Sequence, residues 1–231
     1  NLSMNEWYEK NLHTEDKFFK LSRWLLRRAN LMIVIGKSLR DLYIDRYGVN
    51  PSKIKVILNP IPETKDLETR EDRTMIFASR LTSYKNLPTI FKVLSKIISE
   101  HPDFKFIVIG DGPDKDKLHQ LSQNLNLEKN IVFTGAIPLK EVLEKTASSL
   151  FTVAPALTEF NPNYVLQGIS FGKPFLISRE NDLPFRVPEE FLLNPRDESD
   201  IYNRIKWLLT REGYSQAKDL TRSLNFKMSW A

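Results

Sequence analysis

The sequence predicts an α/β protein: a doubly wound parallel sheet, preceded by the tail of an N-terminal α/β domain. Three observations carry that prediction. Apolar runs of strand length alternate with amphipathic stretches of helical length from about residue 31 onward. The loops between them are short, which calls for right-handed crossovers and a sheet covered on both faces. At 231 residues the chain has room for one large domain and part of another.

The elements follow in order. Leu31–Ile35 is wholly apolar, as expected of a strand buried on both faces. Ser38–Tyr47 reads as a helix that Gly48 closes at its C-terminus. Ile54–Leu58 is the next strand, and Asn59-Pro60-Ile61-Pro62 stops it. Residues 1–60 are thus read as the end of an N-terminal unit and 61–72, mostly charged, as a linker. Residues 73–231 carry the second series. Its strands are Met75–Ser79, Phe104–Ile109, Ile131–Phe133, Leu150–Val153 and Phe175–Ser178. Helices are expected at Leu87–Ser99, Asp114–Leu125, Leu139–Lys145 and Tyr164–Phe171, with Asp197–Leu209 and the stretch after it closing the domain.

Composition bounds the chemistry. With 41% apolar and 27% charged residues the chain is an ordinary globular one. It has no Cys, which excludes disulfides, zinc–thiolate sites and a Cys nucleophile. No apolar run approaches the ~18 residues that a spanning helix needs. The net charge of +5 admits anionic partners: nucleic acid, membrane or a phosphorylated small molecule. Nucleic acid lacks a recognition motif or interleaved aromatics. The three His residues, His13, His101 and His119, are scattered at no metal-ligand spacing, and surface placement is expected for His101 and His119. The chain opens on Asn1-Leu2-Ser3 without a signal-like stretch, which reads as a fragment or processed chain.

In doubly wound sheets ligands bind at the carboxyl ends of the strands, so the loops after each strand are where chemistry is expected. After the first strand of the second series comes Ser79-Arg80-Leu81-Thr82-Ser83-Tyr84-Lys85-Asn86. Arg80 and Lys85 ahead of a helix suit a phosphate, with a fork and a point charge, or are two solvated surface cations. After the second strand, Gly110-Asp111-Gly112-Pro113 allows a sharp turn or a close backbone approach to a ligand. There Asp111 could accept from a ligand or cap the next helix, and Pro113 suits that helix's first turn. Neither G-x-G-x-x-G nor the P-loop pattern occurs. Thr134-Gly135-Ala136-Ile137-Pro138 offers backbone against which a planar base could sit, or is a plain connector. In Pro155–Gly168, Glu159 and Gln167 are eight residues apart and could mark the start and second turn of one ligand-facing helix; Glu159 could also simply cap it.

Taken in order, Asn59-Pro60-Ile61, Ala78-Ser79-Arg80-Leu81 with Lys85-Asn86, Ile109-Gly110-Asp111-Gly112-Pro113, Val132-Phe133-Thr134-Gly135, and Glu159…Gln167 followed by Gly172-Lys173-Pro174 resemble the C-terminal half of GT-B glycosyltransferases, most closely the retaining family 4. The resemblance implies a Rossmann-like donor-binding domain and transfer of a sugar from a nucleotide diphosphate to an acceptor hydroxyl with retention. It implies Arg80 and Lys85 on the diphosphate, and Gly135, Ala136 and Ile137 at the base. Glu159 falls on the donor sugar, Gln167 on the ribose, and Asp111, Gly112, Asn161, Asn163 and Tyr164 elsewhere around the donor. No cofactor or metal is implied; a UDP- or GDP-linked sugar is the substrate, and a glycan, lipid-linked or small-molecule acceptor its partner.

Two departures from that family stand out. The second Glu of its E-x7-E motif is Gln167, uncharged, which leaves a catalytically impaired nucleotide-sugar binding module as the alternative. Pro162 removes one N–H from the start of the expected helix. Residues 17–28 are basic and amphipathic: a helix packing Phe18, Leu21 and Leu25 into the N-terminal domain, or a contact with an anionic membrane. A cytoplasmic location, with peripheral membrane contact through residues 17–28, goes with the resemblance. Phe226–Ala231 is similar to the start of the family's final crossover helix. The chain is therefore expected to be cut at both ends and unable to turn over alone.

Overall fold

The computed structural model describes residues 17–58 and 67–224. His13, the Asn59-Pro60-Ile61 motif, most of the expected linker and the expected crossover helix at Phe226–Ala231 lie outside the described residues. The described chain forms two parallel sheets, one of two strands and one of six.

The small sheet pairs β1 (Met32–Val34) with β2 (Ile54–Val56), Met32 opposite Ile54 and Val34 opposite Val56. Ahead of it lies helix α1 (Lys17–Arg28), and between the strands helix α2 (Lys37–Asp45) crosses over. Gly48, at φ +65°, closes that crossover by donating to the Ile44 carbonyl, as its lack of Cβ permits. Val34, Val49 and Ile54 form the core here, with Leu26, Leu39 and Tyr43 packed against it. Two sequence expectations are not met among the described residues of this part. Leu31 and Ile33 are exposed, because among the described residues this two-stranded sheet is covered by α2 on one face only. Leu21 and Leu25 are exposed too: Leu26 is the described α1 residue against the core and Phe19 packs at a tilt on Tyr47, on the opposite side of the helix.

The large sheet runs β5 (Ile131–Gly135), β4 (Lys105–Ile109), β3 (Asp72–Ala78), β6 (Ser149–Ala154), β7 (Phe175–Ser178), β8 (Leu192–Leu193), all parallel. Chain order reverses direction between β3 and β6, which is the topological switch point. Helices α3 (Leu87–Glu100), α4 (Lys115–Asn124), α5 (Leu139–Ser148), α6 (Asn163–Ser170), α7 (Glu198–Leu209) and α8 (Arg211–Ser223) complete the domain. In α3 the buried residues are Leu87, Ile90, Phe91, Val93, Leu94 and Ile97, a helical stripe against the sheet. Each such side chain taken out of water contributes about 1.5–3 kcal/mol. The two-residue β8 escaped the sequence reading because it is too short to show a period. The last expected linker residue, Asp72, is already the first residue of β3.

Candidate functional site

The loops after β3 and β6 flank the switch point, and their side chains meet there. Lys85 Nζ donates to both oxygens of Glu159, at 2.7 and 3.0 Å. Lys85 is 5% and Glu159 6% exposed, so the pair is desolvated. The loops are joined by backbone as well, Leu157 N donating to the Tyr84 carbonyl at 2.9 Å. Local structure sets Lys85: a single 3-10 turn, Ser83–Lys85, ends on Asn86 at φ +58°, from which α3 begins. Asn86 holds that left-handed position by donating to the Pro195 carbonyl and accepting from Thr89.

Glu159 is fixed from the other side by the loop after β7. Its N–H donates to the Glu180 carbonyl at 2.9 Å and its carbonyl accepts from Asp182 N at 3.0 Å, an isolated parallel bridge to Asn181. It stands four residues ahead of α6, so Glu159 and Gln167 do not share a helix as expected. Gln167 is buried in the second turn of α6. Pro162 is the residue just before that helix, and its carbonyl accepts from Val165 and Leu166, so its missing N–H falls outside the helix.

Asn161 is the most unusual residue here. It is 8% exposed, and neither Oδ1 nor Nδ2 has a hydrogen-bond partner among the described residues. Leaving such an amide buried and unpaired costs about 1–3 kcal/mol per group, so it marks a place where another partner is wanted. Asn163 is exposed on the first turn of α6. The side chain of Tyr164 turns into the core, 4% exposed, donating to the Val153 carbonyl at 2.8 Å and packing edge-on against Phe77. Burial, then the nearby Glu159 charge, raises its pKa well above the ordinary tyrosine value.

The two cations of the β3 loop part company. Arg80 is exposed and has no ion pair among the described residues, whereas Lys85 is buried on Glu159. The glycines of the β4 loop serve the fold. A Cβ on Gly110 would stand 2.0 Å from the Ser79 carbonyl oxygen, and one on Gly112 2.3 Å from that of Leu81. Leu81 N donates to the Asp111 carbonyl and Asp114 N to the Leu81 carbonyl, zipping the two loops together. Asp111 does not cap α4, whose cap position is Asp114, and Pro113 lies before the helix rather than in its first turn. The exposed Asp111 carboxylate accepts from Gly112 N at 2.7 Å and pairs with Lys115, which together hold its pKa below the ordinary value. Gly135, at φ +68°, ends β5 with open space where a Cβ would be, and Ala136 is exposed beside half-buried Ile137. His101 caps the C-terminus of α3 and His119 stacks on Phe133 with ring centroids 3.9 Å apart; both are half-buried rather than fully on the surface as expected.

A model of the family described as "Glycosyl transferases group 1" matches residues 63–223, well over half of the chain. This chain belongs to the group 1 glycosyltransferases. A model described as "Glycosyltransferase Family 4" matches residues 5–65. Among curated relatives of this group 1 chain, the phosphatidylinositol N-acetylglucosaminyltransferase gpi3 subunit of Schizosaccharomyces pombe is 22% identical over 78% of the chain and 41% of that protein. Sulfoquinovosyl transferase SQD2 of Arabidopsis thaliana is 27% identical over 83% of the chain and 40% of that protein. The chain therefore spans about two fifths of the length of these relatives. Among solved structures, Anabaena HepE in complex with UDP and glucose superposes with a TM-score of 0.75 at 17% identity, over 92% of the chain and 63% of HepE. Sucrose-phosphate synthase from Thermosynechococcus elongatus gives 0.71 at 17% identity, over 96% of the chain and 61% of that structure. The fold is thus the Rossmann-like α/β architecture of GT-B transferases.

Two positions here were given no role of their own from sequence. Asn86 carried a signal of sorts, since Asn tolerates the left-handed region ahead of a Leu-Pro helix start. Asp182 carried none: it is one acidic residue in a polar loop, and its role is visible only in three dimensions.

Proposed function

We propose that the switch point binds a nucleoside-diphosphate sugar and that the chain supplies the donor half of a retaining sugar transfer. In this reading residues 73–231 are the donor-binding domain, 1–60 the end of an acceptor-side domain and 61–72 the linker. The observation that carries the reading is the buried Lys85–Glu159 pair beside the unpartnered Asn161 amide, set at the carboxyl ends of β3 and β6. Lys85, with exposed Arg80, takes the diphosphate; Gly135 to Ile137 face the base; and Gln167 accepts from the ribose.

The pair explains how one site serves a cation-binding and an anion-binding need. Without donor, Glu159 neutralises Lys85. When the diphosphate arrives, Lys85 turns to phosphate, and the freed Glu159 accepts from sugar hydroxyls and faces the charge that develops at the anomeric carbon. Asn161 then gains the partners it lacks. Negative charge building on the leaving diphosphate is met by Lys85 and Arg80; losing one such donor commonly costs about 10²–10³ in rate. That HepE was solved with UDP and UDP-glucose supports a UDP-linked donor here, with GDP as the other choice. With acceptor contacts assigned to the N-terminal side, the chain alone binds donor without turning over.

The test is a transfer assay on the chain joined to a complete N-terminal unit, using UDP- and GDP-sugars, with the anomeric configuration of the product read by NMR. An α-linked product from an α-linked donor supports the reading. An inverted product overturns retention, and no release of nucleoside diphosphate from any donor overturns the transferase assignment. A donor bound tightly without release favours the impaired module that the uncharged Gln167 suggests, and Gln167→Glu then restores turnover.

A further inference from the structure

We propose that Asp182 is a positioning residue that clasps the two units of the chain together and sets the register of Glu159; its consequence for catalysis rests on the donor-site reading above. Helix α2, in the small-sheet unit, starts at Lys37 behind Gly36, whose lack of a side chain leaves the first N–H groups without a local cap. The missing acceptor comes from the other unit, 144 residues on: Ser38 N donates to Asp182 Oδ2 at 2.9 Å. A carboxylate on a helix N-terminus is the favourable sign for the helix dipole, and a charge-assisted bond is the stronger kind.

The approach is close enough to constrain sequence. A Cβ on Gly36 would stand 2.0 Å from Asp182 Oδ2 and 2.9 Å from Cγ, so the buried Gly36 leaves the space that the carboxylate fills. The same residue is bonded to the site. Asp182 N donates to the Glu159 carbonyl at 3.0 Å, while Glu159 N donates to the Glu180 carbonyl at 2.9 Å. Between them Asn181 pins the segment, donating to the Ser178 carbonyl at 2.8 Å and accepting from Leu183 N at 3.3 Å. One residue therefore caps α2 through its side chain and seats Glu159 through its backbone. Two hydrogen bonds separate the start of α2 from Glu159, whose carboxylate holds Lys85. If sugar passes between the units, the clasp fixes how closely they approach while Glu159 is in place.

Amide hydrogen exchange of the chain tests this directly, in wild type, Asp182→Ala, Asp182→Asn and Gly36→Ala, with the β3 and β4 amides reporting an intact fold. The expected result is about tenfold faster exchange at Ser38 and also at Glu159 and Asp182 in Asp182→Ala, the scale of one lost charge-assisted hydrogen bond. Asp182→Asn, which keeps an acceptor, recovers most of the protection, and Gly36→Ala reproduces the loss by displacing the carboxylate. Unchanged Ser38 exchange in Asp182→Ala, or faster Ser38 exchange with Glu159 left as in wild type, overturns the proposal. The readout needs no nucleotide: a wild-type chain that binds neither UDP nor GDP sinks the donor-site reading, while these exchange rates still decide the clasp.

Discussion

Breaking the Lys85–Glu159 pair from one side leaves a buried charge without its partner. With the two residues 5% and 6% exposed and the contact at 2.7 Å, little water reaches either group. Removing one member of such a pair costs about 3–5 kcal/mol, much of it the desolvation of the survivor. At about 2–4 °C per kcal/mol for a domain of this size, Glu159→Leu or Lys85→Met should lower Tm by about 6–20 °C. The double variant Lys85→Met with Glu159→Leu replaces both charges with apolar groups of similar volume, and should recover most of that loss. Added salt should change little, since screening acts weakly on a desolvated pair. Urea and thermal unfolding of the four proteins measure the cycle. Single-variant losses below about 1 kcal/mol, or a double variant as unstable as the sum of the two, would refute the reasoning, because both are the behaviour of a solvated surface pair.

Three further outcomes are expected. Gly110→Ala should destabilise the chain by more than 2 kcal/mol, about the strain of its φ +130° plus a 2.0 Å clash, whereas Gly135→Ala, in open space, should cost only about 1 kcal/mol; urea midpoints of the two decide. Tyr164→Phe should cost about 1 kcal/mol for the lost bond to Val153 and leave nucleotide affinity unchanged; a fall in affinity would return Tyr164 to the ligand. Burial lowers the pKa of Lys173, whose ammonium donates to the Arg70 carbonyl, from 10.5 to about 8, with Glu71 and Asp72 raising it and Lys218 lowering it. From pH 8 to 10.5 the unfolded chain then holds more of this proton, so wild-type stability should rise with pH relative to Lys173→Met across that window. Parallel pH profiles for the two would contradict the shift.

Much of this architecture could be read from the residues, and for a physical reason. Parallel strands covered on both faces are continuous apolar runs, so Met75–Ser79 and Phe175–Ser178 announced themselves, and the rule that ligands gather at strand carboxyl ends pointed to the loops where Lys85 and Glu159 meet. The small sheet differs because its all-apolar β1 implies two covered faces, whereas only one is covered among the described residues. Partnerships across the fold were not legible. Arg80 and Lys85 looked alike in sequence, and their division into an exposed and a buried cation depends on Glu159, 74 residues later. In α6, Tyr164 through Ile169 are all buried, so no period separates a ligand face from a core face, and the burial of the Tyr164 side chain could not be read from spacing. Gly110 and Gly112 signalled a close backbone approach correctly, but what approaches is the neighbouring loop.

The central claim is that the switch point takes a nucleoside diphosphate on Lys85. Calorimetric titration of the chain with UDP and with GDP, beside the Lys85→Ala and Arg80→Ala variants, tests it most directly. One of the two nucleotides should bind wild type, with affinity lost in Lys85→Ala and reduced in Arg80→Ala. No heat from either nucleotide at millimolar concentration, or equal affinity in wild type and Lys85→Ala, would contradict it.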